Sequence, residues 1–199
     1  MIVQSETHEM DSLSTTGNQF PFESQRLRIR RLKNEDFDIL YQYRNDEQVA
    51  KYQSWTDKSK DEIQALIDEK PTIGTVDEWF TFAIALKEMD QLIGECAFCI
   101  SGTIPGQAEM GITLSREAQG KRYANEAITA IINFLFKTTT IEEIIFITYL
   151  DNKPCINLLS KLKATQQIDY TIAVNHENLR HYGLKETEIL FSLLKEKWL

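Results

Sequence analysis

Cysteine is scarce in this sequence of 199 residues, which contains only Cys96, Cys99 and Cys155. A small, odd number of cysteines argues against a fold held together by disulfides. Cys96 and Cys99 form a C-x-x-C pair within an alternating apolar run, and residues three apart in a strand point to opposite faces. We therefore expect neither a redox pair nor a zinc site. The three histidines also lack metal-ligand spacing, so no bound metal is expected.

Long apolar runs and an excess of positive charge are absent as well. No run approaches the ~20 residues of a transmembrane helix, and residues 1–10 have neither the basic start nor the apolar stretch of a signal peptide. A formal net charge of −8 opposes binding to nucleic acid or to an anionic membrane. We expect a cytoplasmic protein with neither as a partner. The charge is compatible with a cationic acceptor such as an amine, and a role in solubility explains it equally well.

The periodicity of apolar residues divides the chain into a tail and one domain. Residues 1–22 are polar and aperiodic, and we interpret them as a flexible N-terminal tail. Residues 23–199 show the strand and helix patterns of a folded domain. These patterns predict a strand at 27–32, a helix capped by Asn34, a helix at 58–70, strands at 79–86, 91–100 and 108–114, a helix at 124–137, a strand at 143–149, a helix at 151–163, and strands at 165–174 and 186–194.

The order of these elements favours an α+β domain. The runs at 79–86 and 91–100 are joined by a short turn, which predicts an antiparallel pair. The run at 143–149, EIIFITY, is almost continuously apolar, as in a strand covered on both faces. We expect one mixed, mostly antiparallel sheet with about four helices on its faces.

The stretch Ser115–Ala127, SREAQGKRYANEA, joins a predicted strand to a predicted helix through a short polar loop. Amides at a helix N-terminus carry partial positive charge and bind anions. Gly120 permits close backbone approach, and Lys121 and Arg122 add positive charge. The loop is therefore a candidate pyrophosphate site, and a solvated loop before an ordinary helix is the alternative.

The same segment resembles the coenzyme A pyrophosphate loop of the GNAT superfamily of N-acetyltransferases, whose pattern is Gln/Arg-x-x-Gly-x-Gly/Ala. Gln119 and Ala124 match this pattern, and Arg122 stands where the middle glycine is usual.

A second stretch, residues 152–164, resembles the Asn-x-x-Ser-x-x-x-x-x-Lys-x-Gly-Phe element of that superfamily. Asn152 and Lys161 match, Cys155 replaces the serine, and Lys-Ala replaces Gly-Phe. The opening of the domain, residues 23–52, is similar to the ribosomal-protein N-terminal acetyltransferase branch. The similarities extend over about residues 23–195 in the family's order.

The resemblance implies a single GNAT-like domain, a splayed parallel strand pair in the middle of its sheet, and acetyl-CoA as the acyl donor. It places Ile112, Thr113 and Leu114 beside the thioester, and Asn152 against the pantetheine arm. The pyrophosphate-binding residues that it implies are Gln119, Gly120, Lys121, Arg122, Tyr123, Ala124 and Asn125.

Two catalytic residues follow by analogy. The amine must lose a proton before it attacks, so a general base is useful, and Glu109 on the polar face of its strand is the candidate. Glu95 is the runner-up, and a solvated Glu109 and an ion-paired Glu95 are the structural alternatives. Cys155 occupies the position from which the family's serine donates to the leaving thiolate. Its alternative is a small buried cysteine at a helix start.

The implied function is N-acyl transfer from acetyl-CoA to a primary amine by direct attack. The acceptor stays open among a protein N-terminal α-amine, a polyamine, an aminoglycoside and a small metabolite, and the similarity to the ribosomal branch favours the first. A non-catalytic acyl-CoA sensor and a plain interaction module are the alternatives to an enzyme. The polar loop at 174–183 is a candidate cap for the acceptor site, and the protein is expected to be a monomer or a homodimer.

Overall fold

The computed structural model describes residues 20–53, 55, 58–70, 72–162, 164–168 and 188–199, in which helices pack on both faces of a sheet. The strands are β1 (Phe22–Glu23), β2 (Leu27–Arg30), β3 (Trp79–Leu86), β4 (Leu92–Ile100), β5 (Gln107–Leu114), β6 (Glu143–Tyr149), β7 (Thr165–Ile168) and β8 (Glu188–Leu194). The α-helices are α1 (Phe37–Arg44), α2 (Glu47–Ala50), α3 (Lys60–Asp68), α4 (Tyr123–Thr138), α5 (Lys153–Lys161) and α6 (Lys195–Trp198).

The strands form one sheet in the order β1-β2-β3-β4-β5-β6-β8-β7. Within the described ranges every neighbouring pair is antiparallel except β5 and β6, which run parallel in the middle of the sheet. The expected α+β class, with a mixed and mostly antiparallel sheet, is confirmed. None of the helices in these ranges is long and apolar enough to cross a membrane.

Two hydrophobic layers hold the helices against the sheet. On one face, Phe82 and Phe98 stack with their ring centroids 5.5 Å apart and pack in one core with Ile128 and Ile131 of α4. On the other face, α1 and α3 bury residues such as Leu40 in a second core. Burying one such side chain contributes about 1.5–3 kcal/mol. Because side chains alternate along each strand, successive residues face opposite helical layers.

The start of α1 differs from the expectation, because Asn34 does not cap that helix. A 3₁₀ turn at Asn34–Asp36 precedes α1, and the Asp36 carboxylate accepts the Lys33 N–H at 3.0 Å. The same carboxylate is held by two hydrogen bonds from the buried Arg30 guanidinium, at 2.6 and 2.8 Å. This bidentate pair anchors the turn to β2, and a local sequence pattern does not reveal it.

The chain is already attached to the sheet at the first residues that the structure describes. Phe20 and Phe22 contact the core, and the Phe22 ring stacks on Phe134 of α4 with centroids 4.6 Å apart. The remainder of the predicted tail, the predicted loop at 174–183 and residues 169–174 of the predicted strand lie outside the described residues.

Candidate active site

A gap opens in the middle of the sheet, where the two parallel strands part. β5 and β6 are in register only at residues 107–109 and 143–145, although β5 continues to Leu114 and β6 to Tyr149. A parallel pair that separates exposes the backbone groups of its inner edges. The splayed pair implied by the resemblance is thus present.

The ladder between β4 and β5 determines which backbone groups face this gap. Ser101 N–H donates to the Gln107 carbonyl, and Ser115 N–H donates to the Ile93 carbonyl, each at 2.9 Å. Because bonding alternates along an antiparallel ladder, the odd-numbered residues of β5 bond to β4. The backbone N–H of Ile112 therefore points into the gap.

Glu109 lies at the last rung of the parallel pair. It is opposite Cys99 on β4 and Ile145 on β6. Its side chain is on the sheet face covered by α1 and α3, and burial, followed by the negative charge of Glu188, raises the pKa of its carboxyl above the usual value. A carboxylate with a raised pKa beside a gap has the properties of a general base.

A cleft of about 270 Å³ opens next to Glu109. Asp77 and Trp79 line it together with Cys99 and Ile147, and the Trp79 side chain is 49% exposed. Asp77 has a left-handed backbone with φ of 58°, and its carboxylate accepts the Gly102 N–H at 2.7 Å. Non-glycine residues rarely adopt this conformation. Sequence reasoning missed Asp77, because no local pattern indicates such a backbone.

The runner-up base, Glu95, is committed to an ion pair. It lies on the same face as Glu109 and is 3% exposed. Both of its oxygens accept from the Arg44 guanidinium, at 3.0 and 2.9 Å. Arg44 also stacks on the Trp55 ring, 4.6 Å from its centroid. A buried bidentate pair occupies both carboxylate oxygens, so Glu95 serves the packing of α1 on the sheet.

The loop between β5 and α4 presents a row of unused backbone donors. Within the described residues, no protein acceptor takes the N–H groups of residues 120–125. Gly120 and Arg122 both have left-handed backbones, with φ of 75° and 65°. The Gln119 side chain secures the loop by donating to the Leu114 carbonyl at 3.1 Å. Amides gathered in this way at a helix N-terminus form an anion cradle.

Asn152 and Cys155 lie on the other side of the gap, at the start of α5. The Asn152 side chain accepts the Cys155 N–H at 3.3 Å and donates to the Thr148 hydroxyl at 3.0 Å. Burial raises the pKa of the Cys155 thiol, which an interaction with Thr148 partly offsets. Cys155 packs against the core that contains α4. Cys155 therefore lies on the face of the sheet opposite to that of Glu109.

Comparison with known proteins identifies the family. A sequence profile described as "Acetyltransferase (GNAT) domain" matches residues 26–165. The chain belongs to the GNAT acetyltransferases. It is 31% identical over 180 residues to the uncharacterized N-acetyltransferase p20 of Bacillus licheniformis, covering 88% of this chain and 96% of that protein. These matches make the protein an acetyl-CoA-dependent N-acetyltransferase.

Two solved structures share the GNAT fold of this chain. The ribosomal-protein-S5-alanine acetyltransferase of Vibrio fischeri superposes with a TM-score of 0.66 at 19% identity, covering 90% of this chain and 98% of that one. The spermidine N-acetyltransferase of Vibrio cholerae, in complex with CoA and spermine, superposes with a TM-score of 0.66 at 17% identity, covering 87% and 98%. Identities this low establish the fold alone.

The structure brings together several residues predicted for donor binding. Lys121 and Arg122 lie in the loop that follows β5, among the unused amides. Of the residues predicted from sequence, Ile112, Thr113 and Leu114 line the end of β5 that leads into this loop. The predicted loop residues Gln119 to Asn125 lie together at the start of α4.

Proposed function

We propose that this GNAT enzyme transfers an acetyl group from acetyl-CoA to the α-amine of a protein N-terminus, by direct attack of the amine on the thioester. The observation that carries the proposal is the position of Glu109. Its carboxyl has a raised pKa and lies on the last rung beside the gap, with a cleft in front of it. An amine that enters the cleft meets a base at the point where the thioester is exposed.

The donor binds across the gap. The pyrophosphate takes the amides of residues 120–125 and the charges of Lys121 and Arg122, and the pantetheine arm lies between β5 and β6. Thr113 and Leu114 flank the arm, as does Asn152. Two contacts within the protein already orient the Asn152 side chain, so it presents its remaining donor in a fixed direction.

The chemistry proceeds in two stages. Glu109 first takes a proton from the ammonium form of the acceptor, and the nitrogen lone pair attacks the carbonyl carbon of the thioester. Negative charge collects on the carbonyl oxygen, where the Ile112 N–H donates to it. The carbon–sulfur bond then breaks, and the second amine proton passes to the departing thiolate, which the Cys155 thiol stabilises as a weak hydrogen-bond donor.

An α-amine acceptor suits this base. The α-amino group has a pKa of about 8, more than two units below that of lysine. Transfer of a proton from an α-amine to a carboxylate with a raised pKa therefore costs less free energy at neutral pH than transfer from a lysine amine. The similarity of residues 23–52 to the ribosomal-protein branch supports the same acceptor.

A diamine or polyamine is the second candidate acceptor, and the cleft favours it. Burial and then the charges of Asp77 and Glu109 raise the pKa of the Cys99 thiol, so both carboxylates act on the same region. Asp77 and the exposed Trp79 ring offer a place for a second ammonium group. Trp79 is two strands away from Glu109, roughly 10 Å, a distance that a short diamine bridges.

A panel of acceptors tests the proposal. Acetyl-CoA at ~100 times its dissociation constant should stabilise the folded protein by about 2.7 kcal/mol. Acetylation should then favour short peptides with a free α-amine over matched peptides that carry only a lysine amine. Preference for diamines, lost in Asp77→Asn and Trp79→Ala, would establish the second candidate. Acetyl-CoA binding without turnover on any amine would make the protein a sensor instead.

A further inference from the structure

Arg26 lies just before β2. From outside the gap, it contacts the loop between β5 and α4 that contains the anion cradle. Its Nη1 donates to the Lys121 carbonyl at 3.2 Å. Its guanidinium carbon lies over the Tyr123 ring, 4.4 Å from the centroid. Arg26 thus touches two residues of the loop and helix start that form the anion cradle, although it is far from them in sequence.

Glu126, in the first turn of α4, completes the contact. One of its oxygens accepts from the Ser24 hydroxyl and from the Arg26 backbone N–H, each at 2.7 Å. The other oxygen accepts from Arg26 Nε at 2.7 Å. Although burial opposes it, these hydrogen bonds from Arg26 and Ser24 lower the pKa of Glu126. The carboxylate is therefore ionised at neutral pH and neutralises the guanidinium.

The peptide bond between Lys121 and Arg122 explains what this contact does. In a trans peptide the carbonyl and the following N–H point in opposite directions. Fastening the Lys121 carbonyl to Arg26 therefore aims the Arg122 N–H away from Arg26. Among the described residues, the bond from Arg26 is the one hydrogen bond found on this peptide unit.

We propose that Arg26 and Glu126 are positioning residues for acetyl-CoA, holding the Lys121 carbonyl so that the loop amides converge on the pyrophosphate. This inference rests on the proposed role of residues 119–125. Arg26 acts through geometry and not through its charge, because Glu126 neutralises it. The two explanations make opposite predictions for one substitution. Removing the negative charge of Glu126 strengthens pyrophosphate binding if charge decides, and weakens it if positioning decides.

The test is calorimetric titration of acetyl-CoA into wild type, Arg26→Ala, Arg26→Lys and Glu126→Gln, with steady-state kinetics on the same proteins. Arg28→Ala is the matched control, because Arg28 lies two residues further on in β2, has similar exposure and pairs with Glu23 and Asp90 instead. We expect the dissociation constant and the KM for acetyl-CoA to rise about tenfold or more in Arg26→Ala and Glu126→Gln, while kcat and the acceptor KM stay constant. Arg28→Ala should match wild type.

Unchanged or tighter binding by Glu126→Gln would overturn the positioning role. If Arg26→Ala does not fold, Arg26→Lys decides, since it keeps the charge and loses the forked contact; wild-type affinity in that variant would also refute the proposal. Absence of acetyl-CoA binding by the wild-type protein would refute the proposed function itself. That result is distinct from the outcomes named for Glu126→Gln and Arg26→Lys.

Discussion

Glu109 and Ile145 form the last rung that joins the two parallel strands. Beyond it, β5 and β6 diverge. The candidate base is therefore fixed by strand pairing on one side, while the adjacent backbone of β5 is open to a substrate. This arrangement combines a rigid position with access, which a catalytic carboxylate needs.

Replacing Glu109 with Gln should remove the base and keep the shape of the side chain. We expect kcat to fall by about 10²–10⁴-fold, with little change in the dissociation constant of acetyl-CoA. Acetyl-transfer assays measure kcat, and a separate binding titration measures the dissociation constant of acetyl-CoA. Wild-type rates at every pH would dismiss Glu109 as the base.

Glu188 should contribute to the position of the acidic limb of the pH–rate profile. Burial and the charge of Glu188 raise the pKa of Glu109, and activity requires the deprotonated form, so the rate falls as pH drops through that raised pKa. Glu188→Gln removes one cause and should move the limb toward lower pH. The profile of kcat/KM reports this pKa in the free enzyme. A limb that stays in place, or moves to higher pH, would contradict the assignment.

Reversing the charge at Arg122 should weaken the binding of acetyl-CoA. Arg122→Glu places a carboxylate against the pyrophosphate, and we expect the dissociation constant to rise by about 100-fold. Arg122→Gly is the matched control. It removes the charge and suits the left-handed backbone, so it should bind more weakly than wild type yet melt about 2–4 °C higher. Equal donor affinity in all three proteins would place the pyrophosphate elsewhere.

Cys155 should contribute modestly to the departure of the thiolate. Burial raises the pKa of its thiol, so the group keeps its proton at neutral pH and acts as a weak donor. Cys155→Ala should lower kcat by about tenfold or less, and Cys155→Ser, with a stronger donor, should equal or exceed wild type. If the alanine variant turns over at the wild-type rate, Cys155 is a packing residue.

Asp90 should stabilise the fold in a pH-dependent way. Burial opposes its ionisation, but hydrogen bonds from Lys33 and Arg30 lower the pKa of its carboxyl to about 2. A lowered pKa in the folded state gives stability that is present above the ordinary value of 3.8 and is lost as pH falls toward 2. Asp90→Asn should cost about 1–2 kcal/mol at neutral pH, after allowance for partial exposure.

Asparagine is a suitable replacement because Asp90 has a left-handed backbone with φ of 52°, which asparagine tolerates. Urea unfolding at neutral pH and near pH 2 should show the difference between variant and wild type disappearing at the lower pH. A difference that persists there would mean that the effect is not electrostatic.

Sequence patterns predicted most of the fold, because strand alternation and amphipathic helices are local. The range 143–149 of β6 and the start of α4 near Ala124 follow directly from such patterns. The cap of α1 was misplaced because the Asp36 carboxylate binds the Lys33 N–H and the Arg30 guanidinium, and a 3₁₀ turn precedes the helix. Short elements such as α2 carry too few residues to show a period.

The candidate site could be proposed from sequence where it is continuous, and not where it is assembled across the sheet. The loop from Gln119 to Asn125 is one segment, so its donors could be recognised together. Arg26 and Glu126 meet over a separation of 100 residues, and Asp77 reaches the cleft through an unusual backbone. Neither relationship leaves a local signal in the chain.

The left-handed Arg122 shows that this point of the loop requires a conformation and not glycine itself. Holding a side chain there costs about 1–2 kcal/mol, and in return the loop gains a permanent positive charge at its rim. Glycine and arginine codons differ by a single nucleotide. A single-nucleotide change at this codon can therefore exchange backbone stability for positive charge in the loop, or the reverse.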